Sequence, residues 1–420
     1  MINRFIKNAL LRDIMKIVSG TAGGRAILLI TLPIVTRLYS PEDFKLLAVF
    51  AALVSTTSVI ACLRMEVAVP FSDNDDDAAN ILAIALTSTV SFALGLLALS
   101  LLAPMTIAGW ISTPDIAPYL WLVPLAVLLA GSYASLQSWV IRKRRFGIIA
   151  RTRVGQAIIG AGTMLGLGWF AFAPLGLLLG NTLTLGAGVV SLCAQSLRND
   201  HTVIRNINLR RMHEMLVRNR RYPIFSTPEA LANVAAIQFP ILIIAATAGS
   251  EAGQLFLAMQ VMTVPMTLIG ASVGQVYSSR AAEELRNGTL HGFTKMIMIK
   301  LFLVGLAPML LAAILAPFIV PIIFGAEWQR AGVLIAWISP WMLFQLVASP
   351  VSLVMALLER QQHMLILTLF GALLRISAVL FAIMGRINWV VEAYAISGCI
   401  FYIICALLFF WASKSKSAKL

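Results

Sequence analysis

The chain has 420 residues, of which 60% are hydrophobic and 12% are charged, about half the charged share of a typical soluble domain. This composition excludes a soluble enzyme, a disordered chain and a disulfide-rich secreted module, and the long apolar runs exclude a transmembrane β-barrel, whose strands alternate every second residue. A net charge of +14 would suggest nucleic acid in a soluble protein. Here we attribute it to Lys and Arg along one membrane face, and we expect no nucleic-acid partner.

The apolar runs predict an all-α integral membrane protein, because a membrane-spanning helix needs about 20 predominantly apolar residues. About twelve transmembrane helices are predicted, in two lobes of six helices each. The polar turn YSPED separates the first two spans, and Pro174 marks the tight connection between the fifth and the sixth. The predicted spans, in chain order, are 17–38, 43–64, 81–104, 117–141, 150–172, 175–197, 227–247, 252–277, 295–318, 331–358, 364–384 and 389–412.

One long polar segment lies in the middle of the chain and divides the predicted spans into two groups of six. Its apolar residues Leu209, Met212 and Leu216 recur at helical spacing, which indicates an interfacial helix on the inner leaflet. A contact with anionic lipid or a regulatory contact is the alternative interpretation. The predicted domains are an N-terminal lobe at 1–197, a cytoplasmic amphipathic linker at 198–222 and a C-terminal lobe at 223–420.

The distribution of Lys and Arg predicts the orientation. Of the 32 basic residues, 26 lie at the two termini or in the loops on the linker side of the predicted topology. Because Lys and Arg are enriched in cytoplasmic loops, both termini are predicted to lie inside, an N-in/C-in topology. The remaining basic residues are Arg37, Lys45, Arg330 and Arg386 on the opposite face, and Arg25 and Arg375 inside spans.

Cysteine and histidine show no pattern that would bind a metal. The cysteines all fall in apolar runs, which is typical of free thiols that face lipid or the core, and the histidines fall singly in polar connections. We therefore expect no metal and no cofactor.

Five segments, in chain order, resemble the markers of a known family, the O-antigen and polysaccharide-unit flippases of the multidrug/oligosaccharidyl-lipid/polysaccharide exporter superfamily. The resemblance covers nearly the whole chain, and the departure is Lys45, where that family usually has glycine. The segments are RLYSPEDF (37–44), LRMEVAVPFSDNDDDAANIL (63–82), RRYPIFSTPEAL (220–231), QVYSSRAAEEL (275–285) and FGAEWQRAG (324–332).

The resemblance implies a transporter, not an enzyme, that lies in the bacterial cytoplasmic (inner) membrane. Such a protein moves an undecaprenyl-diphosphate-linked oligosaccharide, the repeat unit of O-antigen or another polysaccharide, from the inner to the outer leaflet by alternating access. The implied partners are this lipid-linked oligosaccharide and the membrane lipids, together with polymerase or assembly proteins of polysaccharide and lipopolysaccharide biosynthesis.

Two arginines inside spans are candidates for binding the diphosphate. An arginine at the centre of a membrane helix costs about 2.5–3.5 kcal/mol on insertion scales, and a guanidinium binds phosphate through two parallel hydrogen bonds. Arg25 lies in the first span beside Gly20, Gly23 and Gly24, which we expect to leave room for a ligand, and Arg375 lies near the middle of the eleventh. The alternatives are snorkelling to the inner interface for Arg25 and a hydrogen bond to a neighbouring helix for Arg375.

Arg64 and Glu66 follow the second span and complete the set of predicted substrate-binding residues. We expect Arg64 to bind phosphate at the inner mouth and Glu66 to pair with Arg64 or Arg25. The alternative is ordinary interfacial charge, since residues two apart do not share a helix face.

Three other functions compete with a flippase. A drug/cation antiporter of the same superfamily would need buried carboxylates, whereas the deep charges here are arginines. A membrane-embedded polysaccharide-assembly enzyme would need carboxylates, histidines or a sizeable loop near the reacting bond, and the outer loops are short. A scaffold for the assembly machinery would not depend on Arg25 or Arg375.

Overall fold

The structure, a computed structural model, describes residues 2–358, 360–385 and 389–414. All regular secondary structure in those ranges is helical, which confirms the predicted all-α class. The α-helices are α1 (Ile2–Leu38), α2 (Pro41–Ala61), α3 (Asp75–Leu102), α4 (Pro104–Trp110), α5 (Leu122–Arg142), α6 (Phe146–Trp169), α7 (Leu175–Gly186), α8 (Val189–Asn199), α9 (His201–Ile204), α10 (Leu209–Arg218), α11 (Thr227–Thr247), α12 (Glu251–Arg286), α13 (Leu290–Phe324), α14 (Gln329–Ala348), α15 (Leu353–Leu357), α16 (Gln361–Met384) and α17 (Val390–Lys414).

Ten helical segments of the described ranges are long and apolar enough to cross a membrane, so the chain is a multi-pass membrane protein. A helix covers each of the twelve predicted spans. The predicted sixth span consists of α7 and α8, and the predicted tenth consists of α14 and α15. The ten segments do not include α6 or α12, which cover the fifth and eighth predicted spans.

The contacts group the chain into two compact units. The N-terminal unit extends to Gln238 without the short segment Ser40–Lys45, which belongs with the chain from Phe239 onward in the C-terminal unit. The division falls inside α11, later than the predicted boundary at 222, and it groups 198–222 with the N-terminal unit.

The turn that begins α2 is stabilised by a reciprocal cap. The backbone N–H and the hydroxyl of Ser40 donate to Asp43 Oδ2 at 2.8 and 2.9 Å, and the Asp43 N–H donates back to Ser40 Oγ at 3.3 Å. Pro41 takes the first helical position, where its missing N–H costs nothing. The S-P-E-D sequence therefore ends one helix and starts the next within two residues.

Glycines bring α6 and α7 into backbone contact within the N-terminal unit. A Cβ atom at Gly160 would overlap Thr184 Oγ1 and would lie 2.8 Å from the carbonyl oxygen of Gly180. A Cβ atom at Gly180 would in turn lie 2.7 Å from the carbonyl oxygen of Gly160. Small residues at such crossings allow membrane helices to approach closely.

We expect Gly160→Ala to destabilise the protein by about 2 kcal/mol, because the added methyl group must displace Thr184 or separate the helices. The matched control is Gly162→Ala in the same helix, where a Cβ atom meets nothing within 4 Å. The measurement is the midpoint of thermal unfolding in detergent. Equal midpoints for the two variants would contradict the close crossing.

Candidate functional site

Arg375 lies in the middle of α16 and is enclosed by aromatic rings of the C-terminal unit. Arg375 is only 5% exposed. The guanidinium carbon lies 4.6 Å from the ring centroid of Phe401, 5.6 Å from that of Trp341 and 5.9 Å from that of Tyr402. Such a cation–π contact stabilises a desolvated cation by about 2 kcal/mol or more.

Glycines position two of these rings. Gly371 is one helical turn before Arg375, and a Cβ atom there would lie 2.7 Å from Phe401 Cδ2. Gly398 in α17 presents bare backbone to the indole of Trp341, where a Cβ atom would lie 2.5 Å from ring carbon Cδ2. The two glycines thus leave room for the rings of Phe401 and Trp341, which line the site around the arginine.

Three polar atoms of this cluster are buried without a hydrogen-bond partner in the described structure: Arg375 Nε, Trp341 Nε1 and Tyr394 Oη. The rings of Trp341 and Tyr394 meet edge to face, with centroids 5.2 Å apart. No ion pair within the described ranges joins a carboxylate to Arg375. A buried polar group without a partner costs about 1–3 kcal/mol, so an anion could satisfy this cluster.

In the conformation described, the rings of neighbouring helices cover Arg375. Trp341 and Tyr394 were not among the predicted site residues, because no local pattern shows which helices pack around Arg375. Trp341 lies well inside α14, and this depth was the available signal.

Arg25 lies in α1 against α6 of the N-terminal unit and is partly exposed. The positive charge of Arg153 acts on it, and Arg153 itself donates to Gln137 Oε1 at 2.8 Å and lies over the ring of Tyr133. Two guanidinium groups near each other repel, and an anion between them would relieve that repulsion. Arg153 was not among the predicted substrate-binding residues.

The glycines beside Arg25 do not leave open space. A Cβ atom at Gly24 would lie 2.9 Å from the carbonyl oxygen of Arg153, and one at Gly20 would lie 2.9 Å from that of Ala150. The expected room for a ligand is therefore occupied by the backbone of α6, since Gly20 and Gly24 are one turn apart and share the face that packs there.

Arg64 and Glu66 form an ion pair after α2, with Arg64 Nη1 3.4 Å from Glu66 Oε1. Leu63 and Arg64 both have positive φ angles, 52° and 57°, so the chain leaves helical geometry and the two side chains can meet. Burial raises the pKa of Glu66, with its own backbone hydrogen bond and Arg64 acting against that shift. Arg64 Nε and Glu66 Oε2 have no partner in the described structure.

A network of ion pairs surrounds the acidic start of α3. Asp75 accepts from Arg142 Nε at 2.9 Å and from Lys143 Nζ at 2.5 Å. Arg211 Nε lies 3.1 Å from Asp77 Oδ1, and Arg218 Nη2 lies 2.6 Å from Asp73 Oδ2. Acids at a helix N-terminus also complement its dipole.

The same network reaches the end of α8. Arg145 binds Asp200 through two parallel hydrogen bonds of 2.8 Å, and Trp139 Nε1 donates to Asp200 Oδ2 at 3.0 Å. Burial raises the pKa of Asp200, but Arg145, Trp139 and Lys143 lower it by more, so it lies below the ordinary range. These partners were not predicted from the sequence, although the acidic run at 73–77 and the complementary basic charge of 198–222 are visible in it.

The predicted site residues therefore occupy three places. Arg64 and Glu66 pair with each other, Arg25 lies near Arg153, and these belong to the N-terminal unit. Arg375 belongs to the C-terminal unit, with Trp341 and Tyr394.

Comparison with solved structures shows a shared fold with transporters. The lipid II flippase MurJ in an inward closed conformation has a TM-score of 0.72 at 15% identity, covering 94% of this chain and 87% of that one. A transporter of the MOP superfamily from Pyrococcus furiosus has a TM-score of 0.57 at 14% identity, covering 96% of both chains. A MATE protein in complex with MaL6 has a TM-score of 0.58 at 13% identity, covering 97% and 95%.

A comparison with curated proteins finds no match. The sequence does match a family described as "Polysaccharide biosynthesis protein" over residues 34–332. That segment contains all five of the sequence markers noted above, and the match confirms the resemblance to the polysaccharide-unit flippases. The chain belongs to this polysaccharide biosynthesis protein family.

Proposed function

We propose that this protein is a flippase for an undecaprenyl-diphosphate-linked oligosaccharide, the repeat unit of O-antigen or another polysaccharide. It moves the unit from the inner to the outer leaflet of the bacterial inner membrane by alternating access. Both termini lie in the cytoplasm, and polymerase or assembly proteins take up the product. The proposed substrate-binding residues are Arg25, Arg64, Glu66 and Arg375.

The observation that carries the proposal is the chemistry of Arg375. A guanidinium lies buried at mid-span, its Nε lacks a partner in the described structure, and no described carboxylate pairs with it. A charged side chain inside a membrane span is costly, so we expect this cation to have a function. A diphosphate head group supplies complementary charge and several acceptor oxygens. Because the chain belongs to a polysaccharide biosynthesis family, we propose that a lipid-linked saccharide carries this diphosphate.

The antiporter alternative has less support. A cationic drug would need a buried carboxylate that is free to bind it. Glu392, 4% exposed at the start of α17, is paired with Arg330 at 2.6 Å, and Arg330 also pairs with Glu251 at 3.1 Å. The flippase is therefore the better proposal for this chain.

The decisive experiment deletes the gene and asks on which leaflet the lipid-linked glycan accumulates. Intact spheroplasts are treated with an impermeant glycan-cleaving enzyme or lectin. We expect the glycan to be inaccessible in the deletion strain and accessible after re-expression. Accessible glycan in the deletion strain would contradict a flippase and would indicate a later step in polymerisation or scaffolding.

A further inference from the structure

The amphipathic helix α10 has two different faces. One face docks on the start of α3 through the ion pairs of Arg211 and Arg218, and Met215, 8% exposed, belongs to the apolar cluster around Ile81. The opposite face continues into the helical turn Tyr222–Ser226, just before α11. We call this second face the linker surface, and it consists of Arg210, Val217, Arg220, Arg221, Ile224 and Phe225.

The linker surface combines exposed cations with exposed apolar side chains. Val217, Ile224 and Phe225 are 52%, 56% and 69% exposed. Arg220 and Arg221 are exposed, and the ion pairs between described residues include neither of them. Three exposed apolar side chains beside arginines are unfavourable in water but typical of a helix at a membrane interface.

The neighbouring spans place this surface at the level of the head groups. One candidate span ends at Asn199 and the next begins at Tyr222, so the chain leaves and re-enters the membrane on the same side. Arg220 and Arg221 directly precede the second of these spans. The ten residues of α10 extend for only about 15 Å, which keeps the helix near that membrane face.

We propose that the linker surface binds the head groups of anionic phospholipids. Ion pairs to the acidic start of α3 fix one face of α10, so its remaining arginines are held towards the lipid while Val217, Ile224 and Phe225 enter the interface. Each arginine near an anionic bilayer contributes about 1 kcal/mol, which corresponds to about a fivefold change in affinity. This contact is independent of the proposed flippase activity.

The test uses the full-length protein in a detergent that is titrated with phosphatidylglycerol or phosphatidylcholine, with the midpoint of thermal unfolding as the readout. We expect phosphatidylglycerol to raise the wild-type midpoint at lower concentration than phosphatidylcholine. In the double variant Arg220→Gln/Arg221→Gln, the phosphatidylglycerol concentration that gives half of the midpoint shift should rise by about 25-fold. The matched control, Arg280→Gln/Arg286→Gln, removes two exposed arginines of α12 and should leave that phosphatidylglycerol concentration unchanged.

The outcomes are distinct. Equal shifts with the two lipids, or the same phosphatidylglycerol response in both double variants, would overturn the proposal and leave the surface for a cytosolic acidic partner. An equal shift with soluble pyrophosphate would show a site for free phosphate instead of lipid. If the double variant fails to fold, Arg210→Gln alone should show a partial loss, because Arg210 is an exposed member of the surface whose ion pair among the described residues is with Glu214 at 3.3 Å.

Discussion

Arg375→Met is expected to slow externalisation of the lipid-linked glycan by about 10- to 150-fold, the worth of one hydrogen-bonded interaction with a charged group. The midpoint of thermal unfolding should stay within about 2 °C of wild type or rise, since an apolar replacement of a buried ion is often neutral or stabilising. The two results together separate a binding role from a structural one. The rate is measured in proteoliposomes with an impermeant glycan-cleaving enzyme.

Two further variants sharpen this test. Arg375→Lys keeps the charge but not the planar fork, so its rate should lie between those of wild type and Arg375→Met. Arg286→Met removes an exposed arginine of α12 and should transport at the wild-type rate. Full transport by Arg375→Met, or a loss of transport that follows a loss of folded protein, would remove Arg375 from the proposed site.

The cluster around Arg375 also bears on how the substrate would reach the site. Within the described residues, Trp341 and Tyr394 each have one polar atom without a hydrogen-bond partner, and the adjacent rings already cover the guanidinium. A site that is closed over its cation in one conformation can bind an anion only after those rings move. The alternating access that we propose requires such a change, because a ligand shifts an equilibrium only by binding one state better than the other.

The helices were largely predictable from the sequence, because burial in lipid requires long apolar runs. The predicted span at 227–247 coincides with α11. The start of α1 was not predictable in this way: its helix begins at Ile2, well before the predicted span at 17. Hydropathy detects the part of a helix that is apolar, and a helix continues beyond that part wherever its backbone hydrogen bonds can continue.

The site was predictable only in part. Arg375 follows from the rule that charge inside a membrane span is costly and functional. Its neighbours Trp341 and Phe401 come from other helices, and contacts between helices are set by glycine positions and packing that no local pattern encodes. Glu66 was expected to pair with Arg64 or Arg25. The left-handed residues Leu63 and Arg64 end the helix, which lets the pair with Arg64 form.

Asp200→Ala is expected to destabilise the protein by about 2 to 3 kcal/mol, because it leaves the buried Trp139 Nε1 and the partly buried Arg145 without an acceptor. Asp200 is 5% exposed and joins α8 to the connection after α5. Asp200→Asn can still accept from Trp139 and should lose about half as much. The exposed Asp115→Ala is the matched control, and thermal unfolding in detergent is the measurement.

The pH dependence of this effect has a definite sign. The pKa of Asp200 is lowered in the folded protein, so its contribution is fully present above the ordinary value of about 3.9 and disappears as the pH falls through the lower, folded value. The difference between wild type and Asp200→Ala should therefore shrink below about pH 4. A double-mutant cycle with Arg145→Ala isolates the pair: a coupling near zero, or a difference that grows in acid, would show that Asp200 acts through packing instead of through its charge.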